Sequence, residues 1–218
     1  MNKSKDNTRR NLVIALGAGV AVLGGTFVAL RSHDAEAAVA NGAQAPNFSV
    51  VDSNGRTRTL AEFAGKTVVL EWTNHDCPYV KKHYGAGNMQ ALQREATAGG
   101  VAWLTVISSA PGKQGHVTPA AANQLTTSRN AAPTAVLLDE SGDVGRLYAA
   151  RTTPHMYVIG PDRKLVFQGG IDDKNSSDPA SLQGARNYVR ETLTAIRAGR
   201  APETASAPPY GCSIKYAG

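Results

Sequence analysis

Thr67-Val68-Val69-Leu70-Glu71-Trp72-Thr73-Asn74-His75-Asp76-Cys77-Pro78-Tyr79-Val80 passes from an apolar, β-branched run into a proline-led helical start. Residues 67–73 read as a strand, and proline is favoured at the first position of a helix because its missing N–H costs nothing there. Cys77 therefore stands at the positive end of a helix, where exposed backbone N–H groups and the macrodipole favour a thiolate. The thiolate is the nucleophile of sulfur chemistry, so this position points to redox or nucleophilic work. The other of the two cysteines, Cys212, lies far off in the C-terminal tail. Whether the two meet becomes the main structural question.

Upstream of that stretch, Pro46 to Val51 alternates apolar and polar residues, Ser53-Asn54-Gly55 makes a turn, and Arg56 to Thr59 returns as a hairpin. Leu60 to Gly65 reads as a helical turn closed by glycine. Downstream, the helix from Pro78 is expected to break at Gly85-Ala86-Gly87 and restart with Asn88 as N-cap, running to Gly99. Val101 to Ile107 is a buried strand. Thr118-Pro119 supplies a cap and first turn for a helix to about Arg129. Ala135 to Leu138 is a third core strand, and a short helix ends near Ala150. Met156 to Ile159 and Leu165 to Ile171 flank the turn Gly160-Pro161-Asp162-Arg163. Leu182, Tyr188, Val189, Leu193 and Ile196 predict one last helix over 178–198. Strands alternating with helices and ending in an antiparallel pair give an α/β sandwich around a mixed sheet.

The ends of the chain read differently. Thr8-Arg9-Arg10-Asn11-Leu12-Val13 looks like a twin-arginine signal, Leu12 to Leu30 is uncharged and glycine-diluted, and Ala35-Glu36-Ala37-Ala38-Val39-Ala40 carries A-x-A cleavage patterns. Residues 1–40 are thus expected to be an export signal and short linker, 41–200 the folded domain, and 201–218 a Pro-, Ala- and Ser-rich tail carrying Cys212. Uncleaved, the apolar run nearly spans a ~30 Å hydrocarbon core, so a retained membrane anchor is the other reading. Export puts the mature protein in a periplasm, where disulfides persist. The chain carries a formal charge of +6, and residues 1–37 hold five basic and three acidic side chains, leaving about +4 on the rest. Those charges are scattered, with no basic stripe interleaved with aromatics, which speaks against a nucleic-acid partner.

The chain resembles the thioredoxin-fold redoxins, the group that holds alkyl hydroperoxide reductase/thiol-specific antioxidant proteins and exported thioredoxin-like proteins. Three residue sets carry the resemblance. Glu71 to Val80 matches the strand–cysteine–helix junction. Thr152-Thr153-Pro154, just before a strand, matches the cis-proline loop, and Leu137 to Gly145 matches the extra strand–helix segment of these proteins. The resemblance covers roughly 45–198 and implies a thioredoxin-like α/β fold, with a mixed central sheet flanked by helices, an N-terminal β-hairpin and an added C-terminal tail. Two departures stand out. The second cysteine of a C-x-x-C motif is replaced by Val80, and the threonine of a peroxiredoxin T-x-x-C motif by Asn74.

The resemblance makes Cys77 the catalytic nucleophile. Cys212 admits three readings: a resolving cysteine that attacks an oxidised Cys77, a structural half-cystine, or an unrelated thiol. Thr153 and Pro154 are expected to present the Thr153 backbone for strand-like pairing with a substrate. His75 and His155 are candidates to stabilise the thiolate or shuttle a proton. His83 and His116 have weaker claims, and Arg151 does not match the peroxiredoxin arginine. Expected partners are a disulfide or peroxide substrate and an external thiol reductant, with membrane contact only through an uncleaved signal. No organic cofactor is implied, since no glycine-rich nucleotide loop or spaced metal-ligand cluster is present. The leading function is a periplasmic thiol–disulfide oxidoreductase with Cys77 as nucleophile and Cys212 as its resolving partner. The alternatives are a peroxiredoxin-like peroxide reductase and a non-catalytic domain, either disulfide-stapled or binding copper through Cys77, Cys212 and His155.

Overall fold

The computed structural model describes residues 39–218. The export signal expected over residues 1–40 lies, except for its last two residues, outside them. Among the described residues no helix is long and apolar enough to cross a membrane.

The expected hairpin forms from β1 (Ser49–Val51) and β2 (Thr57–Thr59). A 3-10 turn over Leu60–Phe63 follows, opened by a capping box in which Thr59 and Glu62 each bond the other's backbone N–H. The central sheet is built from β3 (Val68–Trp72), β4 (Ala102–Ile107), β5 (Ala135–Leu138), β7 (His155–Ile159) and β8 (Leu165–Gly169). Its order is β5-β4-β3-β7-β8. β3, β4 and β5 run parallel, while β7 is antiparallel to β3 and β8. The sheet is therefore mixed, as the order of elements predicts. A separate two-stranded ribbon joins β6 (Thr152–Thr153) to β9 (Cys212–Ser213).

The period-2 alternation of β3 divides its side chains between two cores. Val68, Leu70 and Trp72 pack with Tyr148 and Tyr157 on one face. Val69 packs on the other with α1 (Pro78–Gly85), α2 (Asn88–Ala98) and α5 (Tyr188–Arg197). Cys77 belongs to this second core. Glu71 is fully buried among α1 and α2 residues, and its carboxyl accepts from Tyr84, Gln93, Trp103 and Thr105. Burial raises its pKa despite those four hydrogen bonds.

Two expectations need correction. Asn88 is the first helical residue of α2 and not its N-cap; Gly87 caps it in the left-handed conformation, at φ +72°. Glycine alone enters that region without a Cβ penalty, and it frees the Asn88 amide to donate to His83 Nδ1 at 2.8 Å. The single helix over 178–198 is instead a 3-10 turn (Pro179–Leu182) followed by α5, parted at Gly184 with φ +68° and restarted by Asn187, which accepts from Arg190 N. The tail, in which the sequence marks no element, is tied down. Its backbone pairs with Gln168 through residues 205–207 and with Thr152–Thr153 through Cys212–Ser213. The remaining elements, α3 (Pro119–Ser128), capped by Thr118 as expected, and α4 (Asp143–Leu147), cover the β4–β5 side.

Candidate active site

Cys77 is the N-cap of α1, placed by the turn in which its N–H bonds the Asn74 carbonyl. Its side chain is completely buried. The bond between Thr153 and Pro154 is cis, and the Thr153 carbonyl lies 3.1 Å from Cys77 Sγ. β9 pairs Cys212 directly opposite Thr153, and the Cys212 Sγ comes within 2.7 Å of Cys77 Sγ. Both cysteines are free thiols, and only Cys212 reaches solvent, as a half-buried residue. Four of the five residues singled out in the sequence, Cys77, Cys212, Thr153 and Pro154, thus meet at one point.

The two sulfurs differ in acidity. Burial pushes the Cys77 thiol up, but hydrogen bonding from Cys212 Sγ and attraction by the Val80 N–H outweigh it and leave the pKa below that of an ordinary thiol. The Val80 amide acts here without making a full N-cap bond. Cys212 is pushed up to about 11 by burial and by its neighbour Cys77. Cys77 is thus the more acidic thiol of the two, with Cys212 in hydrogen-bond reach of its sulfur.

His75 is the fifth residue and is not drawn in. Its ring pairs with Asp76 at 3.5 Å and lines a small cleft with Thr73 and Arg129. Partial burial lowers its pKa, against the pull of Asp76. His155 is buried beside the cis-proline, but its ring stacks on Tyr157 at 4.7 Å and its Nδ1 accepts from Arg151 N. Burial lowers its pKa to about 3. Among the described residues no group of three His, Cys, Asp or Glu side chains is placed to hold a metal ion. His116 faces Glu140 at the surface.

Asn74 is held within its own loop. Its Oδ1 accepts from Asp76 N at 2.9 Å and its Nδ2 donates to the Gln114 carbonyl. A Cβ at Gly115 would lie 2.3 Å from the Asn74 amide carbon, so the loop closes around this side chain. The strand edge at Thr153, expected to be open for a substrate, is occupied by the chain's own β9. One site feature was not read from the sequence at all: Tyr210, whose buried hydroxyl meets Asp172 and His83. It sat in a Pro-rich tail with no periodicity to mark it as buried.

The AhpC/TSA family model matches residues 41–168, more than half of the chain, and the chain belongs to that family. Its chemistry is thereby that of a thiol-dependent oxidoreductase, on a thioredoxin-like fold. Among solved structures, it is similar to an uncharacterized conserved protein from Geobacillus kaustophilus, at 25% identity and TM-score 0.71, covering 82% of this chain and 93% of that one. A hypothetical protein from Sinorhizobium meliloti 1021 is similar at 23% identity and TM-score 0.70, covering 83% and 96%. A thiol:disulfide interchange protein from a Bacteroides species shares the fold at 18% identity and TM-score 0.51, covering 74% and 95%. No curated protein matches.

Proposed function

We propose that this protein is a periplasmic thiol–disulfide oxidoreductase in which Cys77 is the nucleophile and Cys212 the resolving thiol. The observation that carries the reading is the 2.7 Å approach of the two sulfurs at the cis-proline loop. Cys77 attacks a substrate disulfide as the thiolate, forming a mixed disulfide and expelling a thiolate from the substrate. Cys212, once deprotonated, attacks the Cys77 sulfur of that mixed disulfide and releases the second substrate thiol, leaving Cys77–Cys212. An external thiol reductant returns the bond to two thiols. Thr153 and Pro154 position the reacting strand, and His75 has at most an indirect part, through Asp76 in the loop before Cys77. The periplasmic location rests on the Thr8 to Ala40 signal, and twin-arginine-dependent cleavage in cell fractions tests it.

Peroxide reduction is the lesser reading. It needs donors that hold a peroxide against the sulfur, and the Asn74 amide that replaces the usual threonine is engaged by its own loop, accepting from Asp76 N and donating one N–H to Gln114. A redox titration in glutathione buffers, with mass mapping of both cysteines, tests the main reading. A reversible Cys77–Cys212 bond with a potential between about −120 and −270 mV is expected. A bond below about −300 mV would make the pair a structural staple. Rapid peroxide turnover with a thiol reductant would favour the peroxidase.

A further inference from the structure

Cys77 is sealed under the tail, so the tail has to leave before any substrate disulfide reaches that sulfur. What holds the tail down is therefore part of the reaction. On the N-terminal side of Cys212 the anchor is Tyr210, 6% exposed. Its ring packs against Tyr79, centroids 5.8 Å apart, and lies 5.3 Å from the buried Lys82 ammonium. Its hydroxyl donates to Asp172 Oδ1 in a short hydrogen bond. His83 Nε2 lies 3.2 Å from the same hydroxyl. The Asn88 amide donates to His83 Nδ1, which assigns the ring proton to Nε2 and makes Nε2–H a donor to Tyr210. The chain of donors runs Asn88, His83, Tyr210, Asp172, and ends on a carboxylate whose Oδ2 has no hydrogen-bond partner.

Three residues of this socket, Tyr79, Lys82 and His83, belong to α1, the helix that Cys77 caps. Nucleophile and socket are thus parts of one rigid element. Gly211 alone separates Tyr210 from Cys212, and two residues reach no more than about 7 Å. Gly211 has φ +121°, and a Cβ there would lie 2.1 Å from the Thr153 carbonyl oxygen. The joint is fixed by close backbone approach, so seating Tyr210 leaves Cys212 little choice of position.

Resting on the Cys77–Cys212 reading above, we infer that Tyr210 is the positioning residue of the exchange reaction: its seat among Asp172, His83 and α1 sets Cys212 over Cys77, and its release admits the substrate. The overall reaction balances as one protein dithiol plus one disulfide giving one protein disulfide plus two thiols. Tyr210 takes no electrons or protons in it. It governs how often Cys77 is uncovered and how high the local concentration of Cys212 is when the mixed disulfide forms.

Tyr210→Phe keeps the ring and removes the hydroxyl. A hydrogen bond to a charged group is worth enough to shift the tail equilibrium by about 10- to 100-fold. In full-length protein the equilibrium constant for Cys77–Cys212 formation against glutathione is expected to fall by that factor. Alkylation of reduced Cys77 by iodoacetamide is expected to rise by a similar one. A merely structural role would lower the melting temperature and leave both ratios unmoved. Asp172→Asn gives a second handle, because it keeps an acceptor and removes the charge. Tyr210→Phe made on top of it should cost clearly less than in the parent. Unchanged equilibrium and alkylation rate in Tyr210→Phe, or full additivity with Asp172→Asn, would overturn the inference. If the parent forms no reversible bond, the two-cysteine reading fails, while the alkylation rates still decide whether Tyr210 keeps Cys77 covered.

Discussion

Cys77 and Cys212 touch, yet they are held by opposite kinds of structure. Cys77 caps a helix packed in the second core, and its loop is fixed by Asn74. Cys212 sits in a two-residue strand, and its place depends on side chains that bracket it, Tyr210 before and Tyr216 after. The helix site favours a thiolate; the strand site pushes its thiol up to about 11. A reactive group on rigid structure beside a partner on a removable one suits the exchange reaction proposed above.

Removing each sulfur in turn is the strongest way to break that asymmetry. Cys77→Ser takes away the nucleophile, and disulfide reduction is expected to fall to background in an assay with a small disulfide and an external thiol. Cys212→Ser leaves attack intact and blocks resolution. Its expected signature is a stable mixed disulfide on Cys77, visible by mass, with turnover reduced by about 100-fold or more. If instead the adduct collects on Cys212 in a Cys77→Ser protein at an equal rate, the asymmetry between the two thiols is lost and the assignment of roles fails.

Titration of the two thiols, followed as thiolate absorbance, sharpens the same contrast. A lowered pKa means the anion is present at lower pH, so Cys77 should ionise at lower pH than Cys212. Cys212→Ala removes the hydrogen-bond donor that offsets burial, and the Cys77 midpoint should then rise. In Cys77→Ser the neighbouring thiolate is gone, so the Cys212 midpoint should fall from about 11 while burial still holds it up. Midpoints that do not move would show that the sulfurs do not sense each other.

Much of the Cys77 half of this contrast was legible in the sequence. The β-branched run, the Cys-Pro junction and Thr153-Pro154 are local patterns, and local patterns specify a strand, a helix start and a loop. Most of the core strands fell close to where their apolar runs place them. The Cys212 half was not legible, because its structure comes from contacts across the chain. Tyr210 and Asp172 are far apart in sequence, and nothing in Pro208-Pro209-Tyr210-Gly211 marks a buried aromatic. Asn88 shows the same limit on a smaller scale. By local rules it is a good N-cap, but His83, fixed by the preceding helix, takes its amide and Gly87 caps in its place. The final helix was overextended because apolar spacing through Leu182 outweighed Gly184.

The smallest expected effect comes from the far side of Cys212. Tyr216 donates to the Ala150 carbonyl at 2.8 Å, and the Arg146 guanidinium stacks over its ring at 4.9 Å. The ring fills space over Gly142 and Gly145, where a Cβ would lie 2.5 and 2.6 Å from it. Tyr216→Phe keeps that packing and loses one neutral hydrogen bond at a half-buried site, worth about 1 kcal/mol. For a domain of this size that lowers the melting temperature by about 2–4 °C. The Cys77–Cys212 equilibrium should change by no more than about 5-fold. The Tyr216 bond ends on a neutral carbonyl and its contacts lie on α4, while the Tyr210 bond ends on a buried carboxylate and its socket lies on the helix that carries Cys77. Tyr216→Phe should therefore register mainly in stability and Tyr210→Phe mainly in exchange. Equal effects of the two on the equilibrium would mean that the tail is held as one unit, with no special anchor beside the nucleophile.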